Sequence, residues 1–189
     1  MNEGLRCELL AMAAVDQAVR SRLAADGSLF DGYHPEMQAV HDGNAARLVE
    51  IIDGHGWPGR SLVGEDGSRA AWMVTQNAIA HPSLQRRCLL LLQDSAKRAE
   101  VPAVEVAMLE DRICFFEGRP QRYGTQYDWD ESGQLNPHPV EKPQLVDELR
   151  RALGLPSLDE KPRRIREGAA RDGQVRPRDW AARRQRFLT

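Results

Sequence analysis

Cysteine is scarce in this chain, and the three that it has, Cys7, Cys88 and Cys114, lie far apart in the sequence. No two of them form a CxxC pair or stand beside a histidine at the spacing of a zinc site. An odd number of dispersed cysteines also argues against a framework of disulfides. We therefore expect three reduced thiols, buried as small apolar side chains.

Recognisable metal, phosphate-loop and hydrolase motifs are also missing. None of the histidines belongs to an HxH or HExxH motif, and no glycines form a GxxxxGK[ST] or GxSxG pattern. Four of the histidines fall in predicted loops or at predicted helix starts: His34, His55, His81 and His138. The sequence therefore predicts neither a metal ion nor a cofactor.

Long apolar runs are absent as well. The first apolar run, residues 9–15, is short and is soon followed by Asp16 and Arg20. It therefore lacks the form of a signal peptide, and no run approaches the roughly 20 apolar residues of a membrane helix. We expect a cytoplasmic protein with no membrane partner.

The formal net charge of −2 conceals an uneven distribution. Residues 161–189 hold ten Lys or Arg against three Asp or Glu, which leaves 16 basic and 25 acidic side chains before them. We predict one globular domain over residues 1–160 and a basic tail over residues 161–189. Basic charge without a recognisable nucleic-acid motif is only weak support for DNA or RNA binding, so we do not expect a nucleic-acid partner. We expect a solvated helix or disordered arm over residues 163–186 that docks on an acidic protein, on the body or on a second copy.

Apolar residues recur every three or four positions along the first 111 residues, which is the spacing of amphipathic helices. In the first such segment the predicted buried face consists of Leu5, Leu9, Met12, Ala13, Val19 and Leu23. Helices are predicted over residues 2–25, 35–53, 69–80, 83–99, 102–111 and 144–153. Residues 54–59 and 62–67 are rich in glycine and are predicted to be loops.

The apolar pattern changes after residue 112. Residues 113–116 (Ile-Cys-Phe-Phe), a Glu-Gly turn and residues 122–127 together suggest two or three short strands. The predicted fold class is therefore mostly α, of the α+β kind. We expect a compact helical domain of five to six helices with a small antiparallel β element around residues 113–130.

Polar side chains suited to chemistry gather in four places along the chain. His41 and Asn44 are three residues apart on a predicted helix and so share one face. His41 is the candidate general acid or base, although a half-buried, hydrogen-bonded histidine would show the same pattern. The other places are Gln76 and Asn77, Asp111 and Arg112, and the segment Gln121, Tyr123, Thr125 and Gln126.

Asp111 and Arg112 lie at a predicted helix-to-strand junction. Adjacent side chains cannot easily face each other, so each is expected to have its own partner. In a functional arrangement Asp111 would orient the imidazole of His41 and Arg112 would bind an anion. In a structural arrangement Arg112 would tie loops together through bidentate hydrogen bonds.

The segment 121–126 offers a hydroxyl, a phenol and two amides, which suit a polar ligand. If the segment is a strand, Tyr123 and Thr125 share one face and Gln126 lies on the other. Gly124 would allow a ligand or another backbone to approach closely. A solvated edge strand with polar side chains is the alternative.

Several of these residues also resemble the motifs of a bacterial family catalogued as domain of unknown function 6624. The resemblance spans residues 30–160, and the combination of motifs is specific although each piece alone is not. The motifs are His41-x-x-Asn44, Gly56-Trp57-Pro58, Val63-Gly64, Gln76-x-Ala78, Asp111-Arg112 and Gln121-x-Tyr123-Gly124-Thr125-Gln126. The resemblance implies a site and brings no reaction with it.

One position departs from the family pattern, which has Gln-His-Ala where this chain has Gln76-Asn77-Ala78. An amide can replace the hydrogen bond of an imidazole but takes up no proton near neutral pH. If the family's histidine is catalytic, Asn77 marks an inactivated, engineered or divergent variant. His41 is then the one motif histidine left for acid–base work.

Two functions follow from this set of residues. The first is a small metal-independent enzyme that hydrolyses a polar small metabolite or transfers a group to or from it. In that enzyme His41, Asp111 and Asn77 form the catalytic set, and the substrate is held by Asn44, Gln76, Arg112, Gln121, Tyr123, Thr125 and Gln126. The alternative is a non-catalytic ligand-binding or protein-interaction domain built on the same polar network.

Overall fold

The described part of the chain is mostly helical. A computed structural model of the protein describes residues 1–30, 32–159, 165–169 and 176. The main helices are α1 (Glu3–Ala25), α2 (Pro35–His55), α3 (Arg60–Asn77), α4 (Pro82–Lys97), α5 (Ala103–Phe116) and α6 (Val146–Ala152). Two short strands, β1 (Tyr127–Trp129) and β2 (Leu135–Pro137), pair antiparallel. The predicted mostly α fold with a small antiparallel β element is confirmed.

The chain forms two compact units. The first comprises residues 1–29 and 33–109, and the second comprises Phe30, Gly32 and the described residues from Glu110 onward. The predicted domain boundary at residue 160 and the arm expected over residues 163–186 lie largely outside the described residues. The single domain over residues 1–160 therefore stays a prediction.

The first unit is held together by helix packing. α1 packs mainly on α3, α2 packs on both of them, and α4 packs on α3. The apolar stripes that define these helices form the core, where the most deeply buried side chains include Leu9, Leu48, Ile51, Val63 and Leu92. Burying each such side chain stabilises the fold by roughly 1.5–3 kcal/mol.

The loop predicted over residues 62–67 is wrong, because α3 begins at Arg60 and runs through this segment. A single residue, Gly64, leaves helical geometry with φ 75° and ψ 169° and bends the helix. Glycine adopts a positive φ at little cost, so one residue absorbs the break. Just beyond it, Asp66 accepts two hydrogen bonds from Arg6 of α1, at 2.8 and 2.6 Å.

The strand predicted over residues 113–116 is also wrong, because α5 continues to Phe116. The helix ends in a Schellman motif around Gly118, whose φ is 65°. The N–H of Arg119 donates to the carbonyl of Cys114, and that of Gly118 to Phe115. The Glu-Gly pair therefore stops a helix and does not turn a hairpin.

The cysteines match the expectation only in part. Cys88 and Cys114 are buried and free, and burial raises the pKa of both thiols, that of Cys88 to about 11. Cys7 is exposed, which contradicts its predicted burial. Within the described ranges of the chain, no helix is long and apolar enough to cross a membrane.

A carboxylate is buried in the first unit with one oxygen that has no hydrogen-bond partner. Glu105 of α5 is 6% exposed, and its Oε2 atom has no donor. Burial raises the pKa of this carboxyl to about 7, while the charge of Arg69 opposes the shift and that of Glu65 adds to it. The ionised form is therefore the costly one in the folded protein.

We expect Glu105→Gln to stabilise the protein at high pH. Between about pH 4.5 and 7 the folded state holds a proton that the unfolded state has lost, so stability falls as pH rises through this window. The variant should unfold like the wild type near pH 4.5 and be more stable by about 3 kcal/mol at pH 8. Urea unfolding at both pH values measures this, with the substitution Glu148→Gln at an exposed glutamate as control. A constant difference between wild type and Glu105→Gln across the pH range would contradict the expectation.

Candidate functional site

His41 on α2 lies in a polar cluster of the first unit. The hydroxyl of Tyr33, just before α2, lies 2.7 Å from His41 Nδ1. On the other side of the ring, Nε2 lies 3.2 Å from Oδ2 of Asp16 on α1. The imidazole is therefore placed between a phenol and a carboxylate.

The carboxylate of Asp16 is fixed by a second helix. Asn77, the last residue of α3, donates from Nδ2 to Asp16 Oδ2 at 3.1 Å. The Asp16 side chain is 6% exposed and that of His41 is 11% exposed. Nε2 is fully out of solvent and close to Asp16, but it is not aligned for a hydrogen bond. Such loose alignment is common in catalytic groups before substrate binds.

The surroundings of His41 favour one tautomer. An ionised carboxylate only accepts hydrogen bonds, so the proton of a neutral imidazole belongs on Nε2, facing Asp16. Nδ1 then carries the lone pair and accepts the hydroxyl proton of Tyr33. Asp16, His41 and Tyr33 thus form a chain along which a proton can move from the phenol to the imidazole.

Tyr33 is neutral at physiological pH. Burial raises its pKa to about 12, and the negative charges of Asp42 and Asp16 add to the shift. Asp42 also pairs with His81, at 2.7 Å from its Nε2. The phenol therefore loses its proton only when a base such as His41 takes it.

The other predicted residues of the first unit lie on the same helices. Asn44 is one turn beyond His41, and its Nδ2 makes a long contact of 3.5 Å with the Met12 carbonyl. Gln76 precedes Asn77 on α3 and is 7% exposed. Its carbonyl accepts a hydrogen bond from Gln85 at 3.4 Å.

Asp111 belongs to the second unit, and its carboxylate organises the loop that follows α5. Oδ1 accepts the N–H groups of Arg122 and Tyr123 at 2.7 and 3.0 Å. Oδ2 accepts both the N–H and the hydroxyl of Thr125 at 2.9 Å. Asp111 was expected to orient His41, but its described hydrogen bonds are with this loop, and the carboxylate beside His41 Nε2 is that of Asp16.

Gln121 also serves this loop and is fully buried. Its Nε2 donates to the carbonyls of Gln126 and His138 at 3.0 and 2.7 Å, and its Oε1 accepts the N–H of Gln126 at 2.8 Å. Of the strand expected over residues 122–127, only Tyr127 belongs to β1. The residues before it form a loop around the side chains of Asp111 and Gln121. The described hydrogen bonds of Asp111, Gln121 and Thr125 therefore hold the loop together, and their predicted roles in a site stay predictions.

The remaining predicted residues of the second unit are less enclosed. Arg112 donates to Oε1 of Gln126 at 3.0 Å and lies over the ring of Phe116. Tyr123 is half-buried under the guanidinium of Arg122, and burial raises its pKa. Arg112, Tyr123 and Gln126 stay proposals for binding a ligand.

Sequence reasoning did not select Asp16 and Tyr33, the two groups that contact His41. The sequence did contain an indication for Asp16, because it lies seven residues from both Leu9 and Leu23 and therefore on the buried face of α1. A carboxylate on an apolar stripe needs a partner inside the fold. Tyr33 lies in the short loop before α2, where residue spacing does not predict the direction in which a side chain points.

Among the residues that the structure describes, no three His, Cys, Asp or Glu side chains come close enough together to hold a metal ion.

A family model described as a family of unknown function, DUF6624, matches residues 3–171. The match extends beyond both ends of the segment that carries the motifs. No curated protein and no solved structure matches the chain significantly.

Proposed function

Because the chain belongs to DUF6624, a family of unknown function, we propose a function from its own side chains: acid–base catalysis on a polar small molecule. The observation that carries the proposal is the 2.7 Å contact between Tyr33 and His41 Nδ1, with Asp16 behind the ring. A phenol, an imidazole and a carboxylate in a row form a proton relay. The proposed enzyme needs no metal.

Tyr33 is the group that meets the substrate, because it is half-buried while His41 and Asp16 are nearly enclosed. As the phenol oxygen takes a proton from a substrate hydroxyl or a water, its own proton passes to His41 Nδ1. Asp16 stabilises the imidazolium that results. The reverse transfers return a proton to the leaving group and restore the resting state.

A relay of this kind suits hydrolysis or group transfer, because both reactions activate an oxygen and then protonate a leaving group. Asn44 and Gln76 are the amide side chains proposed to hold the substrate in the first unit. Asn77 acts on the relay by fixing Asp16 rather than by moving a proton, since an amide does not titrate near neutral pH.

The test of this proposal is turnover. Wild-type protein and His41→Gln are each incubated with pools of polar metabolites, and depletion is followed by mass spectrometry. We expect the wild type to consume at least one compound that His41→Gln leaves unchanged. His55→Gln, an exposed histidine at the end of the same helix, is the matched control and should behave as the wild type. Equal depletion by wild type and His41→Gln would remove the relay from the reaction.

A second candidate is a non-catalytic binding domain, and the near-complete enclosure of His41 and Asp16 favours it. A related possibility is that Asn77 has inactivated the relay. Asn77→His separates the two, because it restores the family residue beside Asp16. If neither protein consumes any compound but a compound is retained on gel filtration, the chain is a binding domain. Turnover by Asn77→His alone identifies an inactivated variant.

A further inference from the structure

A guanidinium with an unused donor is buried in the second unit. Arg150 of α6 has no exposed surface. Its Nε donates to the Pro156 carbonyl at 2.6 Å, and Nη1 donates to the carbonyls of Tyr123 and Gly124 at 2.6 and 3.1 Å. The third nitrogen, Nη2, is out of solvent and has no hydrogen-bond partner. The side chain is thus fixed in place with one donor group free.

No carboxylate among the described residues forms an ion pair with Arg150. Asp147 and Asp111 act on its charge only at longer range. Both are engaged elsewhere, since Asp147 accepts the N–H of Leu158 at 2.6 Å and Asp111 accepts the loop donors. Burial lowers the pKa of Arg150, which reflects the cost of a cation held without a close counter-charge.

A second unused donor lies on β1. The hydroxyl of Tyr127 is buried and has no hydrogen-bond partner. The positive charges of Arg150 and Arg166 both act on this phenol. Arg166 is held on β2 by the Leu135 carbonyl at 2.9 Å and by the side chain of Asn136. Arg150 reaches the carbonyl of Gly124, three residues before Tyr127, and Arg166 reaches the strand that pairs with β1. The two free donors and the two positive charges therefore lie around the start of β1 in the second unit.

We propose that Arg150, Tyr127 and Arg166 form a binding site for a small oxyanion, namely a phosphate or a carboxylate group. Nη2 of Arg150 and the hydroxyl of Tyr127 each donate to an oxygen of the anion, and Arg166 adds positive charge. Charge-assisted hydrogen bonds of this type are stronger than neutral ones. A buried water would satisfy the two donors but would leave the cation without a counter-charge.

This inference does not depend on the acid–base relay of the first unit. It also differs from the role that the sequence suggested for Arg112, whose guanidinium is engaged by Gln126. Arg151, the next residue of α6, is exposed and carries the same charge. It therefore offers a matched control for binding through general surface charge.

The site is tested by isothermal titration of the full chain with inorganic phosphate and, separately, with acetate. Chloride keeps the ionic strength constant, and the two anions distinguish a phosphate from a carboxylate ligand. We expect Tyr127→Phe to bind about tenfold more weakly than the wild type, because it loses one hydrogen bond to a charged group. Arg166→Gln should bind about threefold more weakly, because it loses only longer-range charge.

Arg151→Gln should bind like the wild type. Circular dichroism and thermal unfolding in chloride verify that each variant is folded. The proposal is overturned if neither anion binds the wild type, which would assign the two donors to a water. It is equally overturned if Arg151→Gln weakens binding as much as Tyr127→Phe does.

Discussion

Replacing Asp111 by Asn is expected to destabilise the protein by about 3–4 kcal/mol. The wild-type carboxylate is fully buried and accepts hydrogen bonds from the backbone of Arg122, Tyr123 and Thr125 and from the Thr125 hydroxyl. An amide can accept at one oxygen only, and its NH₂ group would face donors that then have no acceptor. Urea unfolding measures the change.

Glu110→Gln is the matched control for this prediction. Glu110 lies beside Asp111 on α5, and its substitution removes the same charge. Among the described residues its carboxylate forms one ion pair, a 3.8 Å contact with Arg122. Burial raises the pKa of the Glu110 carboxyl, so its charge stabilises little. We expect a change within about 0.5 kcal/mol. A loss below about 1 kcal/mol for Asp111→Asn would mean that the loop does not need the carboxylate.

The helices were predictable because the apolar residues that recur every three or four positions form their buried faces. The errors arise where packing against the rest of the fold outweighs the local preference of a few residues. Ile113-Cys114-Phe115-Phe116 suits a strand by composition, yet Ile113 and Cys114 extend the buried face of α5. Helical periodicity reaches to Phe116 once the segment is joined to the residues before it. Gly64 shows the opposite error, since one glycine bent a helix where a whole loop was expected.

The sequence predicts His41 and Asn77 as members of one site, which stays a prediction, but it does not predict that both side chains contact Asp16. Spacing shows which residues share a face of one helix, and it does not show which helices meet. The contact between Asp16 and His41 joins α1 to α2, and the contact between Asp16 and Asn77 joins α1 to α3. Asp111 seemed a suitable partner by residue type, and only the path of the following loop reveals where its oxygens point.

Arg150 marks the limit of sequence reasoning for this chain. Arg150 and Arg151 are adjacent and identical in type, yet the first is fully buried and the second is exposed. The difference depends on the loop carbonyls of Tyr123 and Gly124, which lie more than 25 residues earlier. Gly124 has a φ of 66°, and an added Cβ would lie 2.6 Å from Leu158. The close approach of Leu158 to the backbone at Gly124 is the one feature of this region that the sequence predicted, because a glycine leaves room for it.

Tyr33→Phe is expected to lower kcat by about 10²- to 10⁴-fold for a compound that the wild type consumes. The substitution removes only the hydroxyl that contacts His41 Nδ1, so the relay loses the group that exchanges a proton with the substrate. KM should change little, because the ring stays in place. Steady-state kinetics on the wild type and the variant measure both constants.

Asp16→Asn should have a smaller effect on kcat, about 10- to 100-fold, because its amide can still hold the ring but cannot stabilise an imidazolium by charge. The pH profile of kcat should also change, because the substitution removes a negative charge 3.2 Å from Nε2 of His41. A purely structural Asp16 would lower stability and leave the pH profile of the folded enzyme unaltered. If the relay operates, the loss of kcat is largest for Tyr33→Phe and smaller for Asp16→Asn. His55→Gln should leave kcat unchanged. If Asp16→Asn and Tyr33→Phe leave kcat unchanged, the three side chains serve packing alone.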